Sequence, residues 1–471
     1  MDLTEIWGWL RPTCEMLMGI IIVIAAFFFF LAVISRKHAR RNGIISAISA
    51  LLAFGLLVFM AIGNVYWVIP NPSLTLGLPT KQFPLFLLFF CVGIIFIYFA
   101  FDAKKNVKHN EAFNSTLLLA AIFIIMSIIL LIPMIRVFIL RDQVLTTWED
   151  ILPLYLLIYA NSIDIVVIVI VPLVLFAIGI YVLKEMKFKK YESEALQESI
   201  KQQQTFSKFD LELSRKLFHI IIIAILASYM FVGRIVIDTI YRFIILGTPN
   251  IYPFSAQDIY DNIITAENTG LLDFRAGHLL VLLAVTWILF ILLLTDIVRI
   301  KKYRYYPFKM VAKVYREKER LVFAPHIYLT SGILFIIMLS SGIDLLLNTP
   351  AGISVQIVMI TVMISALADA VATLVGVTKG RHHLKGGKSK KTWEGWIAGV
   401  VSAFIFGILT FVILMPQYGG NLIQGIILSL VATIVFGFID YFSPPIPISD
   451  NILNPVAIGL TLWGISLLFF I

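Results

Sequence analysis

The residues best equipped for chemistry in this chain lie between Leu367 and Gly399, LADAVATLVGVTKGRHHLKGGKSKKTWEGWIAG. Asp369 is an acid inside an otherwise apolar helical run. A glycine-rich basic loop follows, with Lys379, Arg381, Lys385, Lys388, Lys390 and Lys391. Thr392, Glu394 and Gly395 then open the next apolar run. An acid within a membrane segment is costly to keep, which makes it a functional-site candidate. Glycines and cations beside a helix start suit phosphate groups, through free backbone N–H groups and the helix dipole. The competing reading is a positive-inside loop that only fixes topology.

Other polar clusters stand at the ends of apolar runs. In Ser214-Arg215-Lys216-Leu217-Phe218-His219, Lys216 and His219 are three apart and share a helix face. Arg215 and Lys216 alone would be ordinary topology signals. His219, one turn into an apolar run, suits a satisfied buried histidine as well as a catalytic or phosphate-contacting one. Asp296 and Arg299 are also three apart and suit either a plain intrahelical ion pair or a functional pair. Asp369, Thr373 and Gly376 share one helix face. Ala366, Ala368, Ala370 and Ala372 keep that helix slim, which permits close helix or ligand approach. Asp369 is thus a candidate ligand for a hard cation such as Mg²⁺, which prefers carboxylates and phosphate oxygens. Asp440 ends one apolar run, and Asp450 and Asn451 precede the next. Asp450 suits an N-cap; with Asp440 it equally suits a metal–nucleotide site. Phosphoryl transfer is catalysed mainly by positioning and charge neutralisation, so it needs both cations and metal-binding acids. No Walker loop and no protein-kinase glycine loop is present.

The elements that must position these groups are membrane helices. Hydrophobic residues make up 60% of the chain and charged residues 14%, against roughly 25% charged in soluble domains. The expected fold is all-α and polytopic, with about 12 transmembrane helices of bilayer-spanning length. They are read at 14–35, 44–68, 83–101, 115–140, 153–183, 217–236, 277–298, 326–347, 353–377, 393–415, 421–440 and 452–470. With the N-terminus outside, 30 of the 37 Lys and Arg residues fall in the inner loops 36–41, 104–108, 184–216, 299–320 and 379–391. That asymmetry favours this orientation. The stretch 301–320 reads as a basic amphipathic helix on the membrane surface. The net charge of +9 is spread over short loops, which fits an anionic leaflet and anionic substrates rather than nucleic acid. Cys14 and Cys91 form no spaced framework and no metal motif. Met1–Arg11 lacks the basic start of a cleaved signal peptide.

Residues 186–213 are polar and rich in Gln and Glu, a surface helix or flexible linker. They separate a five-span N-terminal region, 1–185, of unassigned role from a seven-span domain, 214–471, that carries every cluster above. Asn161 and Asp164 are the polar oddities of the first region, suited to packing or interhelical hydrogen bonding and, as the competing reading, to a functional role. No internal repeat supports an inverted-repeat transporter.

Five motifs occur in order: Arg215-Lys216-x-x-His219; Asp296-x-x-Arg299; Asp369-Ala370-x-Ala372-x-x-x-Gly376; Lys391-Thr392-x-Glu394-Gly395; and Asp440 before Asp450-Asn451-x-x-x-Pro455. In that order the chain resembles the membrane polyprenol kinases (dolichol, phytol and farnesol kinases), themselves distantly similar to phosphatidate cytidylyltransferase. The resemblance covers roughly 212–471. It implies transfer of the γ-phosphate of CTP, with Mg²⁺, to a long-chain isoprenoid alcohol at the cytoplasmic membrane face. It implies metal ligation by Asp369, Asp440 and Asp450. Nucleotide contacts would come from Lys216, Arg299, Lys379, Lys385, Lys388, Lys391, Thr392, Glu394 and Asn451. The catalytic residues would be Asp450, Asp369 and His219. The loop with His382, His383 and Lys385 is longer and more basic than the family pattern, and Asp440 stands where a Glu is expected. Both departures bear on substrate choice more than on chemistry. The first five spans lie outside the resemblance and are expected to be dispensable for the chemistry. A cytidylyltransferase making a CDP-lipid would use the same nucleotide at its α-phosphate, and a membrane transporter would place its acids along a path. Membrane lipid and CTP are the expected partners; a homo-oligomer is left open.

Overall fold

The computed structural model describes residues 3–34, 38–66, 74–107, 110–139, 269–301, 322–347, 351–384, 391–443 and 447–470, with Phe209, Glu212, Leu213, Lys216, Tyr303 and Tyr306. The described residues form helices and no strand, as the long apolar runs require. In chain order these are α1 (Leu3–Ile34), α2 (Ala39–Tyr66), α3 (Leu74–Val107), α4 (Asn110–Ile139), α5 (Thr269–Lys301) and α6 (Pro325–Leu347). There follow α7 (Ala351–Met363), a π turn (Ile364–Ala368) and α8 (Asp369–Lys379), then α9 (Trp393–Tyr418), α10 (Leu422–Phe442) and α11 (Asp450–Phe469). Among the described residues, seven helical runs are long and apolar enough to cross a membrane: Phe86–Lys105, Asn110–Leu130, Pro325–Ile343, Gly352–Lys379, Trp393–Pro416, Leu422–Phe442 and Asp450–Phe469. The expected spans 153–183 and 217–236, most of the linker 186–213 and nearly all of the surface helix 301–320 lie outside the described residues. So do Asn161, Asp164, His219, Lys385 and Lys388.

The chain divides into two compact units. The first contains α1 and α2, which pack on one another. Ser46 Oγ donates to the Ala25 carbonyl at 2.6 Å, so a hydroxyl in an apolar helix is satisfied across the helix pair. The second unit joins Gly93–Phe123 to Asn268–Ile471 and includes Lys216. Its core is built from Ile357, Ile360 and Ile364 on the α7 side, Phe411 on α9, Phe436 on α10 and Trp463 on α11. The Trp463 indole N–H is buried and donates to Ser340 Oγ at 2.8 Å. On α9, Trp393, Ile397, Val401, Ile405 and Leu409 recur every four residues and are exposed. Such a row is the lipid-facing side of a membrane helix.

In hydrocarbon, apolar burial gives helices no reason to associate, so close packing of small residues must hold them. The crossing of α8 and α9 shows this. A Cβ on Gly395 would stand 2.7 Å from the Ala372 carbonyl oxygen, and one on Gly399 would stand 2.7 Å from Ala372 Cβ.

The second unit does not begin at the polar linker. Phe96 and Phe99 on α3 pack edge-on against Phe323, with centroids 5.0 and 4.9 Å away. Thr116 Oγ1 and the buried Tyr328 hydroxyl are 2.9 Å apart. Lys301 Nζ meets Asp102 at 2.5 Å. Part of the N-terminal region is therefore structural material of the unit that carries the polar clusters.

Candidate functional site

Asp369 is placed by an irregularity. The π turn Ile364–Ala368 follows α7, and Asp369 is its C-cap and the first residue of α8. A π turn inserts one extra residue per turn and re-aims the side chains after it; such turns are frequent at functional sites. Ile364, Ser365, Ala366 and Ala368 of the turn are buried, and the alanines leave room for the widened backbone.

Asp440 lies in the last turn of α10 and Asp450 opens α11. One carboxylate oxygen from each of Asp369, Asp440 and Asp450 lies within 4.8 Å of the others. Residues far apart in the chain thus make one cluster. Asp440 is buried, and the side chains of Asp369 and Asp450 are 13% and 28% exposed.

Two lysines neutralise part of this charge. Lys216 Nζ donates to Asp369 Oδ2, 153 residues away in sequence. Lys391 Nζ donates to Asp440 Oδ1 at 2.5 Å, to the Asp440 carbonyl at 3.2 Å and to Asp450 Oδ2 at 3.3 Å. Burial pulls the Lys391 ammonium toward its neutral form, but the Asp450 and Asp440 carboxylates outweigh it and hold its pKa above the ordinary lysine value. Asn451 Nδ2 donates to Asp450 Oδ1 at 3.3 Å.

The N-cap of α11 is Ser449, and Asp450 follows it as the first helical residue. Asp450 thus stands in the first turn, one residue inside the N-cap position that the sequence offered for it. Its charge sits at the positive end of the helix dipole and faces Lys391.

Other sequence candidates have local partners. Arg299 is buried with Asp296; Nε and Nη2 both donate to that carboxylate, the latter at 3.0 Å. Nη2 also donates to the Val322 carbonyl at 2.6 Å, and Asp296 Oδ2 accepts from the Ala324 N–H at 2.9 Å. This pair ties the end of α5 to the start of α6. Thr392 is the N-cap of α9, its hydroxyl accepting from the Gly395 N–H at 3.3 Å. Glu394 accepts from the His382 backbone N–H at 3.3 Å and pairs with its ring Nδ1 at 2.6 Å. A bridge between His383 and Thr392 closes the same loop. Lys379 is exposed in the last turn of α8.

A cluster of three carboxylates with two ammonium groups matches a metal-bound polyphosphate in donor type. Its oxygens suit a hard cation, and its lysines suit phosphate. Oxygens on one octahedral cation at roughly 2.1 Å lie about 3 to 4.2 Å apart, so a spacing of up to 4.8 Å needs only small side-chain rotations to close. Sequence reasoning missed three features: the π turn, the reach of Lys216 to Asp369, and Ser115 of α4, whose hydroxyl accepts from the Ser449 N–H at 2.7 Å.

Comparison with known proteins finds no matching family model, no matching curated protein and no matching solved structure.

Proposed function

We propose that this chain is a CTP-dependent lipid kinase of the polyprenol kinase type. In this reading it has about twelve spans, an outer N-terminus and a cytoplasmic-face site, and it phosphorylates a long-chain isoprenoid alcohol. The observation that carries the reading is the convergence of Asp369, inside the apolar run Gly352–Lys379, with Asp440 and Asp450 at two helix ends and with Lys216 and Lys391. A transporter would set acids along a path through the membrane; these gather at one level of the bundle.

On this reading the residues divide the work. Asp369 and Asp440 would hold Mg²⁺, with Asp450 beside them. When bound, the ion would neutralise phosphate charge and orient the polyphosphate. Lys391 and Lys216 would exchange their carboxylate partners for phosphate oxygens, helped by Lys379, Lys385, Lys388 and Asn451. Arg299, Thr392 and Glu394 would act by fixing the backbone around the site. A primary alcohol is a poor nucleophile at neutral pH, so a base must take its proton. Asp450 is the candidate, at the mouth of the cluster and more exposed than the other two acids; His219 is the alternative. The alcohol O–H bond breaks toward that base, an O–Pγ bond forms, and the bond from Pγ to the bridging oxygen breaks to release CDP.

The test is turnover of CTP labelled at defined positions by the purified chain with isoprenoid alcohols of several lengths. Label entering lipid from the γ-position supports the kinase. Label from the α-position means a cytidylyltransferase. No transfer from either position refutes both, and solute flux in proteoliposomes then tests the transporter.

A further inference from the structure

Asp450 is held partly by its own helix, through Asn451 Nδ2 on its Oδ1 at 3.3 Å and the Ile452 and Leu453 N–H groups on the Ser449 carbonyl at 3.2 and 3.1 Å, and partly from outside it. Ser449, the N-cap of α11, makes no side-chain capping bond. Its hydroxyl instead accepts from Asn451 Nδ2 at 3.4 Å. Its backbone N–H is directed out of the helix, to Ser115 Oγ at 2.7 Å, a partner 334 residues away. Ser115 and the adjacent Thr116 are each 1% exposed. Thr116 is tied to Tyr328 of α6, and α6 packs on α11.

We propose that Ser115 is a positioning residue. Its hydroxyl anchors the start of α11 and so sets the Asp450 carboxylate against Lys391. A segment outside the five motifs thereby becomes part of the site. The Ser449 N–H is partly buried, and without an acceptor it loses one hydrogen bond. Without Ser115 Oγ the start of α11 is released from α4 and turns that N–H toward water, and Asp450 moves with it. The consequence for catalysis rests on the kinase reading; the clamp itself does not.

The experiment uses the full chain in lipid nanodiscs and reads the exposure of Lys391 to trace acylation, site by site, by mass spectrometry. Ser115→Ala is expected to raise the Lys391 acylation rate roughly fivefold, the factor carried by one ordinary hydrogen bond. Ser115→Thr, which keeps the hydroxyl, is expected to restore the parental rate. Thr116→Val removes the neighbouring buried hydrogen bond; it should lower the melting temperature and leave Lys391 protected. Unchanged labelling in Ser115→Ala, or an equal rise in Thr116→Val, overturns the proposal. Should the alanine variant fail to fold, Ser115→Cys, close in volume but a weak acceptor, gives the same comparison. Transfer of γ-phosphate is followed in parallel. A parent that transfers none refutes the kinase reading, while the labelling still judges the clamp. In an active parent, Ser115→Ala should lower kcat more than it raises KM for the alcohol.

Discussion

Removing Lys391 measures what holds the acids together. Lys391→Met keeps the side chain's length and deletes its charge. The ammonium bonds Asp440 Oδ1 at 2.5 Å, the Asp440 carbonyl at 3.2 Å and Asp450 Oδ2 at 3.3 Å. Hydrogen bonds to charged groups contribute about 1.5–3 kcal/mol each. Breaking a buried pair costs about 3–5 kcal/mol, because the partner charge is left uncompensated. The Asp440 side chain is 5% exposed and that of Lys391 29%, so solvent screens the lysine end, and a loss of about 3 kcal/mol is expected. The double variant Lys391→Met with Asp440→Asn removes both charges and should recover a large part of that loss, a coupling of about 1.5–3 kcal/mol. The assay is reversible unfolding of parent, both single variants and the double variant in bicelles with chelator present. Its pH dependence has a defined sign. Lys391 has a pKa raised above the ordinary lysine value. A raised cation stabilises fully below its unfolded pKa of about 10.4 and loses that contribution only as pH rises through the folded value. The titration of Lys391 therefore adds no slope between about pH 6 and 9. A single variant within about 0.5 kcal/mol of parent, or single effects that simply add, would refute the pairing.

If the proposed kinase reading holds, Asp369→Asn, which keeps the shape and removes the charge, should abolish CTP turnover at any Mg²⁺ concentration while the chain still folds, as judged by near-UV circular dichroism. Asp450→Asn should lower kcat by about a hundredfold or more, the size of general-base assistance, with CTP binding retained in a filter assay; near-parental turnover would return the base role to another group. In Gly395→Ala the new Cβ would lie 2.7 Å from the Ala372 carbonyl, so α8 and α9 must part. A loss of about 1–3 kcal/mol is expected, with turnover falling because Asp369 rides on α8; parental activity and melting would show that the crossing tolerates a methyl. Deleting 1–66 removes α1 and α2 alone and should leave label transfer measurable. Deleting 1–185 also removes Phe96, Phe99, Asp102, Ser115 and Thr116 and should abolish it; transfer surviving the longer deletion would make that region dispensable.

Helices were legible because a bilayer imposes a one-dimensional signal: apolar runs of fixed length, broken by cationic loops. The acids were legible for the complementary reason, that hydrocarbon makes a charge inside such a run conspicuous. Their partners were not. Lys216 reaches Asp369 across 153 residues, and no local spacing encodes that. Arg299, Thr392 and Glu394 carried two readings each in sequence, and in the structure each has a nearby partner: Asp296, Gly395 and His382. Ser115 was invisible for a different reason. A serine in an apolar helix ordinarily bonds its own backbone, as Ser127 does to the Ile124 carbonyl at 2.6 Å. Nothing in the residues around Ser115 distinguishes a hydroxyl that turns outward to another helix.

On the kinase reading, the placement of the cluster also bears on the acceptor. A nucleotide arrives from water and an isoprenoid alcohol arrives from the bilayer, so a site joining them has to sit at the boundary. Lys391 precedes by two residues Trp393, which heads the exposed apolar row of α9. Asp440 is followed at once by Tyr441, whose ring lies 6.1 Å from Trp393 and 6.0 Å from Trp396. The Trp396 N–H donates to the Gly437 carbonyl at 2.9 Å, so the indole is fixed rather than swinging. Aromatic rings with one polar edge settle where hydrocarbon meets headgroups. The charged cluster and the exposed apolar row of α9 therefore adjoin one another. On the kinase reading, a single hydroxyl on a long tail can reach the acids there while its tail stays in the bilayer. Chain-length selection would then fall to the lipid-facing rows, and the acids would bind nothing of the acceptor but its hydroxyl.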